Sequence, residues 1–267
     1  MPVIRLEYRN VSMRFAEAGK TPLTAIHDVS FSVLDGEIVS LIGPSGCGKS
    51  TLLNIGAGLY APTEGAAYVD GERVEGPNAH VAFMLQKDLL LPWRTIAENV
   101  MFGLEIRGSE RAERKRRAQA LLEGFGLAEF SRHYPHQLSG GMRQRVALAR
   151  TLAVDPSVLL LDEPFSAVDA QTRIVLQRDL GTTLHQAGKT ALLITHDLLE
   201  AVTLSDRVLV MSRRPGHIVD ELRIELPERE NPIARRQHPK ISGYVARLMD
   251  RLDIGEAMLE EPMRGTA

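Results

Sequence analysis

Ile4, Leu6 and Tyr8 alternate with Arg5, Glu7 and Arg9, a period of two that predicts a half-buried strand near the start of the chain. After a loop stretch carrying Gly19 and Pro22, Val29, Phe31 and Val33 repeat the alternation up to an Asp35-Gly36 turn. Ile38 to Ile42 (I-V-S-L-I) is a compact β-rich run instead, as expected of a central strand covered on both faces. It runs directly into a glycine-rich loop and then a helix-like stretch from Lys49 to Leu59. Ala67 to Val69 and Val81 to Leu85 are further strand candidates, set apart by the turn residues Asp70-Gly71 and Pro77-Asn78.

From about Gln86 to Pro156 the pattern becomes helical. Ser109 is placed to cap a helix whose apolar positions Ala118, Leu121, Leu122 and Phe125 recur at helical spacing. A further helix is expected from near Gly140, burying Val146, Ala149 and Ala153 until Asp155-Pro156 stops it. Beyond Pro156 strands and helices alternate again: Val158 to Leu161, then Leu176, Leu180 and Leu184 on one helix face, then Ala191 to Thr195 and Val208 to Met211. Such alternation implies a mostly parallel sheet, so the predicted class is α/β with an antiparallel β part at the N-terminus and an inserted helical subdomain. Past Pro227 the chain is rich in charge, with Pro232 and Pro239 and one amphipathic helix near Ile241 to Leu252. The expected division is a domain over 1–226, with residues 87–156 inserted, and a C-terminal extension over 227–267 of unassigned role.

The 267 residues are 44% apolar and 25% charged, the composition of a folded globular chain rather than a disordered one. A formal charge of −2 removes the simplest reason to expect nucleic-acid binding. The apolar runs fall far short of the roughly 20 residues a membrane helix needs, and M-P-V-I-R-L-E-Y-R-N lacks the apolar stretch of a signal peptide. With one cysteine there is no intrachain disulfide framework, so a soluble intracellular protein is expected.

Residues 43 to 50 read G-P-S-G-C-G-K-S and fit the phosphate-loop pattern G-x-x-x-x-G-K-[ST] between a strand and a helix. Gly43, Gly46 and Gly48 let the backbone turn tightly and approach a phosphate chain. The N–H groups of Pro44-Ser45-Gly46-Cys47-Gly48 (proline excepted) and the helix start at Lys49, Ser50 and Thr51 offer partial positive charge to anions. Lys49 is expected to reach the β- and γ-phosphates and Ser50 to ligate Mg²⁺. A hydrophobic strand ending V-L-L-L-D-E supplies Asp162 to hold Mg²⁺, and next to it Glu163 to polarise the attacking water. These features predict a nucleoside triphosphatase.

Leu138 to Arg145 reads L-S-G-G-M-R-Q-R, and here the chain resembles the ATP-binding-cassette (ABC) ATPases, whose signature is L-S-G-G-Q/M-x-Q-R. Ser139, Gly140 and Gly141 at a helix start make a second anion surface. The resemblance, spanning about residues 3 to 225, implies that two domains dimerise head to tail with ATP between this surface and the other copy's phosphate loop. It further implies that Phe15 stacks on adenine, that Gln86 touches Mg²⁺ or the lytic water, that Asp169 communicates across the dimer and that His196 contacts the γ-phosphate. The family more often has leucine where Val168 stands, which leaves Asp169 in register.

The fold does not choose among the family's functional classes. One phosphate loop is visible, no sustained heptads separate Lys49 from Asp162, and no membrane segment is fused to the cassette. L-L-P-W-R with the following E-N-V, and R-R-P-G-H-I at 213 to 218, look like the nitrate/sulfonate/taurine branch of importers. The resemblance then implies an ATPase subunit peripheral to the cytoplasmic face of the membrane, working as a homodimer or with a related ATPase subunit. A transmembrane permease would dock in a groove near Gln86 to Gly103, where Leu91 and Trp93 suit an interface anchor. A periplasmic or extracellular solute-binding protein would complete the system. An ABC ATPase serving an exporter or lipid-transfer complex, and a soluble ATP-driven regulator, stay open at this point, as does the solute. The basic run from Arg111 to Arg117 reads as a solvated helix face.

Overall fold

The computed structural model describes residues 2–16, 21–166 and 168–252. The two alternating segments form β1 (Ile4–Phe15) and β2 (Leu23–Leu34), an antiparallel pair in which Tyr8 faces Phe31 and Val11 faces Val29. β4 (Glu64–Val69) adds to the other side of β1, and a two-residue strand β5 (Glu72–Arg73) closes this four-stranded antiparallel sheet in the order β2-β1-β4-β5.

The second sheet has six strands in the order β10-β9-β3-β8-β7-β6. Its strands β3 (Ile38–Ile42), β6 (Val81–Met84), β7 (Val158–Asp162), β8 (Thr190–Ile194) and β9 (Arg207–Met211) run parallel, and β10 (Ile218–Arg223) lies antiparallel on the edge. All residues of β3 and β8 are buried, as their unbroken apolar runs require of strands covered on both faces. The antiparallel sheet and helix α1 (Lys49–Gly56) cover one face, where Leu6, Val11, Leu52, Leu53, Leu160 and Leu192 share a core. The other face carries α4 (Gly140–Ala153) and α5 (Ala170–Gln186), whose Leu148, Leu152, Leu176 and Leu180 pack with Leu159 and Leu193.

Between β6 and β7 the chain forms α2 (Ile96–Ile106), α3 (Arg111–Gly124) and α4. α2 was not individually legible from its periodicity; a capping box at Thr95 starts it, with the Glu98 side chain accepting from Thr95 N–H at 2.8 Å. The cap expected at Ser109 falls elsewhere: Glu110 occupies the N-cap of α3 and makes no side-chain capping bond. α3 buries only Ala118 and Leu122, so its arginines lie on a largely solvated helix. α1 ends before the expected Leu59 because Gly58 takes φ +74° where the chain passes the backbone of Gly76.

After β8 come the short helix α6 (Leu198–Leu204), then α7 (Pro232–Arg236) and the predicted α8 (Ile241–Arg251), which packs through Leu248 against Ala201, Val202 and Val208. Residues 253–267 of the expected C-terminal extension lie outside the described residues. Among the described residues no helix is long and apolar enough to cross a membrane.

Candidate active site

Because five strands of the large sheet are parallel, the carboxyl ends of β3, β8, β7 and β6 stand side by side on one edge, about 4.8 Å apart. Whatever follows those ends meets there, however distant in sequence. β3 leads into the 43–50 loop, β7 ends on Asp162, β8 is followed by Thr195-His196, and β6 by Leu85-Gln86.

Gly48 holds φ +107° at the N-cap of α1, and a Cβ there would lie 2.3 Å from Ile26 Cγ2. Only glycine lets the loop pass beneath β2 in this conformation. No side chain caps α1, so the N–H groups of its first turn are left for an anion. Lys49 is 8% exposed and its Nζ donates to the carbonyls of Gly43 at 2.7 Å and Pro44 at 3.0 Å. Cys47 turns its side chain into the core, 1% exposed, and so takes part in the loop through its backbone.

Asp162 is half-buried at the end of β7. Burial pushes its carboxyl above the usual range; the Ser50 hydroxyl, hydrogen-bonded to it, and Lys49 pull the other way, while Glu163 adds to the rise. Asp162 and Ser50 thus present hard oxygen donors beside the phosphate loop, a donor set that fits Mg²⁺, which takes one or two carboxylates together with phosphate and water.

Glu163 lies just beyond, at φ +45°, with its N–H donating to Ile194 O at 3.0 Å across to β8. A non-glycine residue in this region is held there by its surroundings. Its carboxylate accepts from Gln86 Nε2 at 3.1 Å and stands 3.3 Å from His196 Nδ1. The structure therefore brings Gln86, Glu163 and His196 together at one carboxylate. An open cavity of about 280 Å³ lies over the loop, lined by Ser45, Gly46, Lys49, Ser50, Thr51 and Glu163. Phe15, 38% exposed and edge-on to Tyr60 at 6.0 Å, lines the same cavity.

Ser139, Gly140 and Gly141 do not line it. Ser139 caps α4, its hydroxyl accepting from Met142 N–H at 3.3 Å, and Ser139 and Gly140 are exposed. A Cβ on Gly141 would lie 2.3 Å from Thr172 Cγ2, so this glycine also admits the start of α5. Asp169 caps that helix, accepting from Gln171 and Thr172 N–H at 3.1 and 3.0 Å. Two residues missed in the sequence belong to this region. Buried Gln144 of α4 donates to the carbonyl of Pro164, tying the signature helix to the turn after Glu163. Arg214 lines the cavity over the phosphate loop. Only the R-R-P-G-H-I motif marked Arg214, and the Q-R end of the signature marked Gln144; neither spacing announced a contact.

A phosphate loop at the end of a central parallel strand, with an acidic pair on a neighbouring strand end, defines a P-loop nucleoside triphosphatase. Residues 26–166 match the sequence profile described as ABC transporter, and the chain belongs to that family as an ATP-binding, ATP-hydrolysing subunit. It is 46% identical over 223 residues to an uncharacterised ABC transporter ATP-binding protein of Methanocaldococcus jannaschii, covering 84% of this chain and 83% of that protein. A taurine import ATP-binding protein of Roseobacter denitrificans is 40% identical over 260 residues, 97% of either chain. Among solved structures, a dimeric ATP-binding cassette in a post-hydrolysis state with ADP and Pi superposes with a TM-score of 0.73 at 33% identity, covering 83% of this chain and 99% of that one.

Proposed function

We propose that this chain drives import of a small solute such as nitrate, a sulfonate or taurine, hydrolysing ATP in a head-to-tail pair on the cytoplasmic face of the membrane. The observation that carries the reading is the Glu163 carboxylate, placed between Gln86 and His196 and facing the phosphate-loop cavity. A nearly end-to-end match at 40% identity to a taurine import ATP-binding protein supports the solute class. In this reading residues 1–226 are the cassette, residues 87–156 its helical subdomain, and 227–267 an extension.

Lys49 and the loop N–H groups take the β- and γ-phosphates, and Phe15 offers its ring to adenine. Ser50 and Asp162 would hold Mg²⁺, with Gln86 reaching it or the lytic water, and the ion would supply charge neutralisation of the phosphates. Glu163 accepts a proton from water as the water oxygen bonds to the γ-phosphorus and the bond to the β–γ bridging oxygen breaks. His196 donates a hydrogen bond toward the transferring phosphoryl group. Ser139 to Gly141 sit outside the chain's own cavity, and the dimeric relative supports their use on a second copy's nucleotide. Closure of the pair excludes water and completes the site; ATP and ADP favour different pair states, so each turnover moves the attached permease. Trp93, 72% exposed, suits an anchor in the permease groove near Gln86 to Gly103, whereas Leu91 is half-buried.

Glu163→Gln is expected to retain ATP binding, lose turnover by ~100-fold or more, and accumulate as a closed dimer in gel filtration with ATP. Hydrolysis at the parental rate removes Glu163 as the base. Solute-stimulated ATP hydrolysis by the complex reconstituted with its permease and binding protein, run with taurine, an alkanesulfonate and nitrate, tests the import reading.

A further inference from the structure

The segment after β9 is fixed to the phosphate loop by contacts that owe nothing to a nucleotide. Gly216 N–H donates to Ala25 O at 3.0 Å and His27 N–H donates back to Gly216 O at 2.9 Å, so the segment lies along β2. A Cβ on Gly216 would sit 1.9 Å from the Cys47 carbonyl oxygen, which puts the backbone of this segment in direct contact with the loop. Ser212 and His217 close its base, the His217 N–H donating to Ser212 Oγ at 3.0 Å. A braced turn of this kind carries Arg214 to the crown of the loop, where Nε and Nη2 both donate to the Gly46 carbonyl, at 3.0 and 2.7 Å.

That contact has a consequence for the loop's amides. In a trans peptide the C=O of Gly46 and the N–H of Cys47 point in opposite directions. With the carbonyl held by a guanidinium, the Cys47 N–H points away from Arg214 and donates to Pro44 O at 3.3 Å. The fork therefore opposes a flip of this peptide. Arg214 also changes the charge of the cavity. Of the charged residues lining it, Lys49 and Arg214 are cations and Glu163 is an anion; without Arg214 the cations no longer outnumber the acid. Among the described residues Nη1 of Arg214 has no hydrogen-bond partner.

We propose that Arg214 is a nucleotide-site residue of this ATPase: it clamps the Gly46 peptide and presents Nη1 to the phosphate chain of the nucleotide. The proposal rests on the phosphate-loop reading of residues 43–50. Arg is suited to both tasks because its planar fork can hold one acceptor while a third nitrogen meets another. Neighbouring Arg213 does not line the cavity and provides a matched control.

The test compares Arg214→Gln, Arg214→Lys, Arg213→Gln and Lys49→Ala in the full-length chain, by displacement of a fluorescent ATP analogue with ATP, ADP and adenosine. Arg214→Gln is expected to weaken ATP and ADP about tenfold, the effect of one lost charge-assisted hydrogen bond, and to leave adenosine unchanged. Arg214→Lys should recover part of the loss, and Arg213→Gln should bind like the parent. Equal weakening of adenosine and ATP by Arg214→Gln would mean general damage to the site and would overturn the assignment. So would ATP binding within twofold of the parent while Lys49→Ala loses it. If Lys49→Ala also binds ATP normally, the phosphate-loop reading itself fails.

Discussion

The Glu200 carboxyl, 3% exposed at the start of α6, accepts from Gln177 Nε2 of α5 at 2.9 Å and borders the same small cavity as Glu163 and His196. Burial pushes it up from 4.5 to about 7; Gln177 and Thr195 hydrogen bonds oppose the rise, Asp197 adds to it, and Arg173 opposes it. A carboxyl with a raised folded pKa holds its proton in the folded chain where the unfolded chain has lost it. Stability from this group is therefore full below pH 4.5 and falls as pH climbs to about 7. Glu200→Gln keeps an acceptor for Gln177 but cannot ionise. Its urea midpoint should match the parent near pH 4.5 and exceed it at pH 8, a gain of up to roughly 3 kcal/mol; equal midpoints at both pH values would show that the carboxyl titrates normally. Nothing in the sequence marked Glu200, because its neighbours come from a different helix and from the strand end before it. Gly48, by contrast, was legible at once from the phosphate-loop spacing, although the close approach of Ile26 that also demands glycine there comes from β2.

Elements divide in the same way. β3, β7 and β8 could be read from their apolar runs, and α4 from the spacing of Val146, Ala149 and Ala153. The short β5, the edge strand β10 and the small helices α6 and α7 could not, because pairing and packing partners rather than local pattern hold them. α1 shows how an element identified locally is set in place from afar. Tyr8 of β1, fully buried and stacked on Phe31 at 4.7 Å, donates to Leu52 O at 2.9 Å. A Cβ on Gly56 would lie 2.3 Å from the Tyr8 hydroxyl. Gly56→Ala should raise helix propensity yet destabilise the chain by about 1–3 kcal/mol through overpacking. Differential scanning calorimetry reads the sign, and Gly56→Ala combined with Tyr8→Phe should regain part of the loss. A stabilised single variant would mean that the antiparallel sheet yields freely over the phosphate-loop helix.

At the scale of the whole molecule, the described residues after Pro227 are held to the rest of the chain by Arg235 as well as by the apolar face of α8. Arg235 of α7 is 2% exposed and donates to four carbonyls: Thr203 at 3.2 Å, Ser205 and Leu226 at 3.0 Å, and Pro227 at 3.1 Å. Two of these lie at the carboxyl end of α6, where a cation also meets the negative end of the helix dipole. Gly181 of α5 makes room for Pro232, a Cβ there falling 2.5 Å from the ring. Arg235→Met keeps much of the volume but strands buried carbonyls, and about 3–5 kcal/mol should be lost in urea unfolding. An unchanged midpoint would mean that water replaces the guanidinium and that the extension is only loosely held.

By itself the sequence determined the phosphate loop, its flanking strand and helix, the acidic strand end and the signature. Each of these is a contiguous run whose chemistry is exerted by its own backbone or by adjacent side chains. Which residues meet at the Glu163 carboxylate was decided by tertiary structure, as was the fork of Arg214 on Gly46, 168 positions away. Parallel strands need long crossovers, so neighbours along the sheet edge are remote along the chain, and only the strand order brings their ends together.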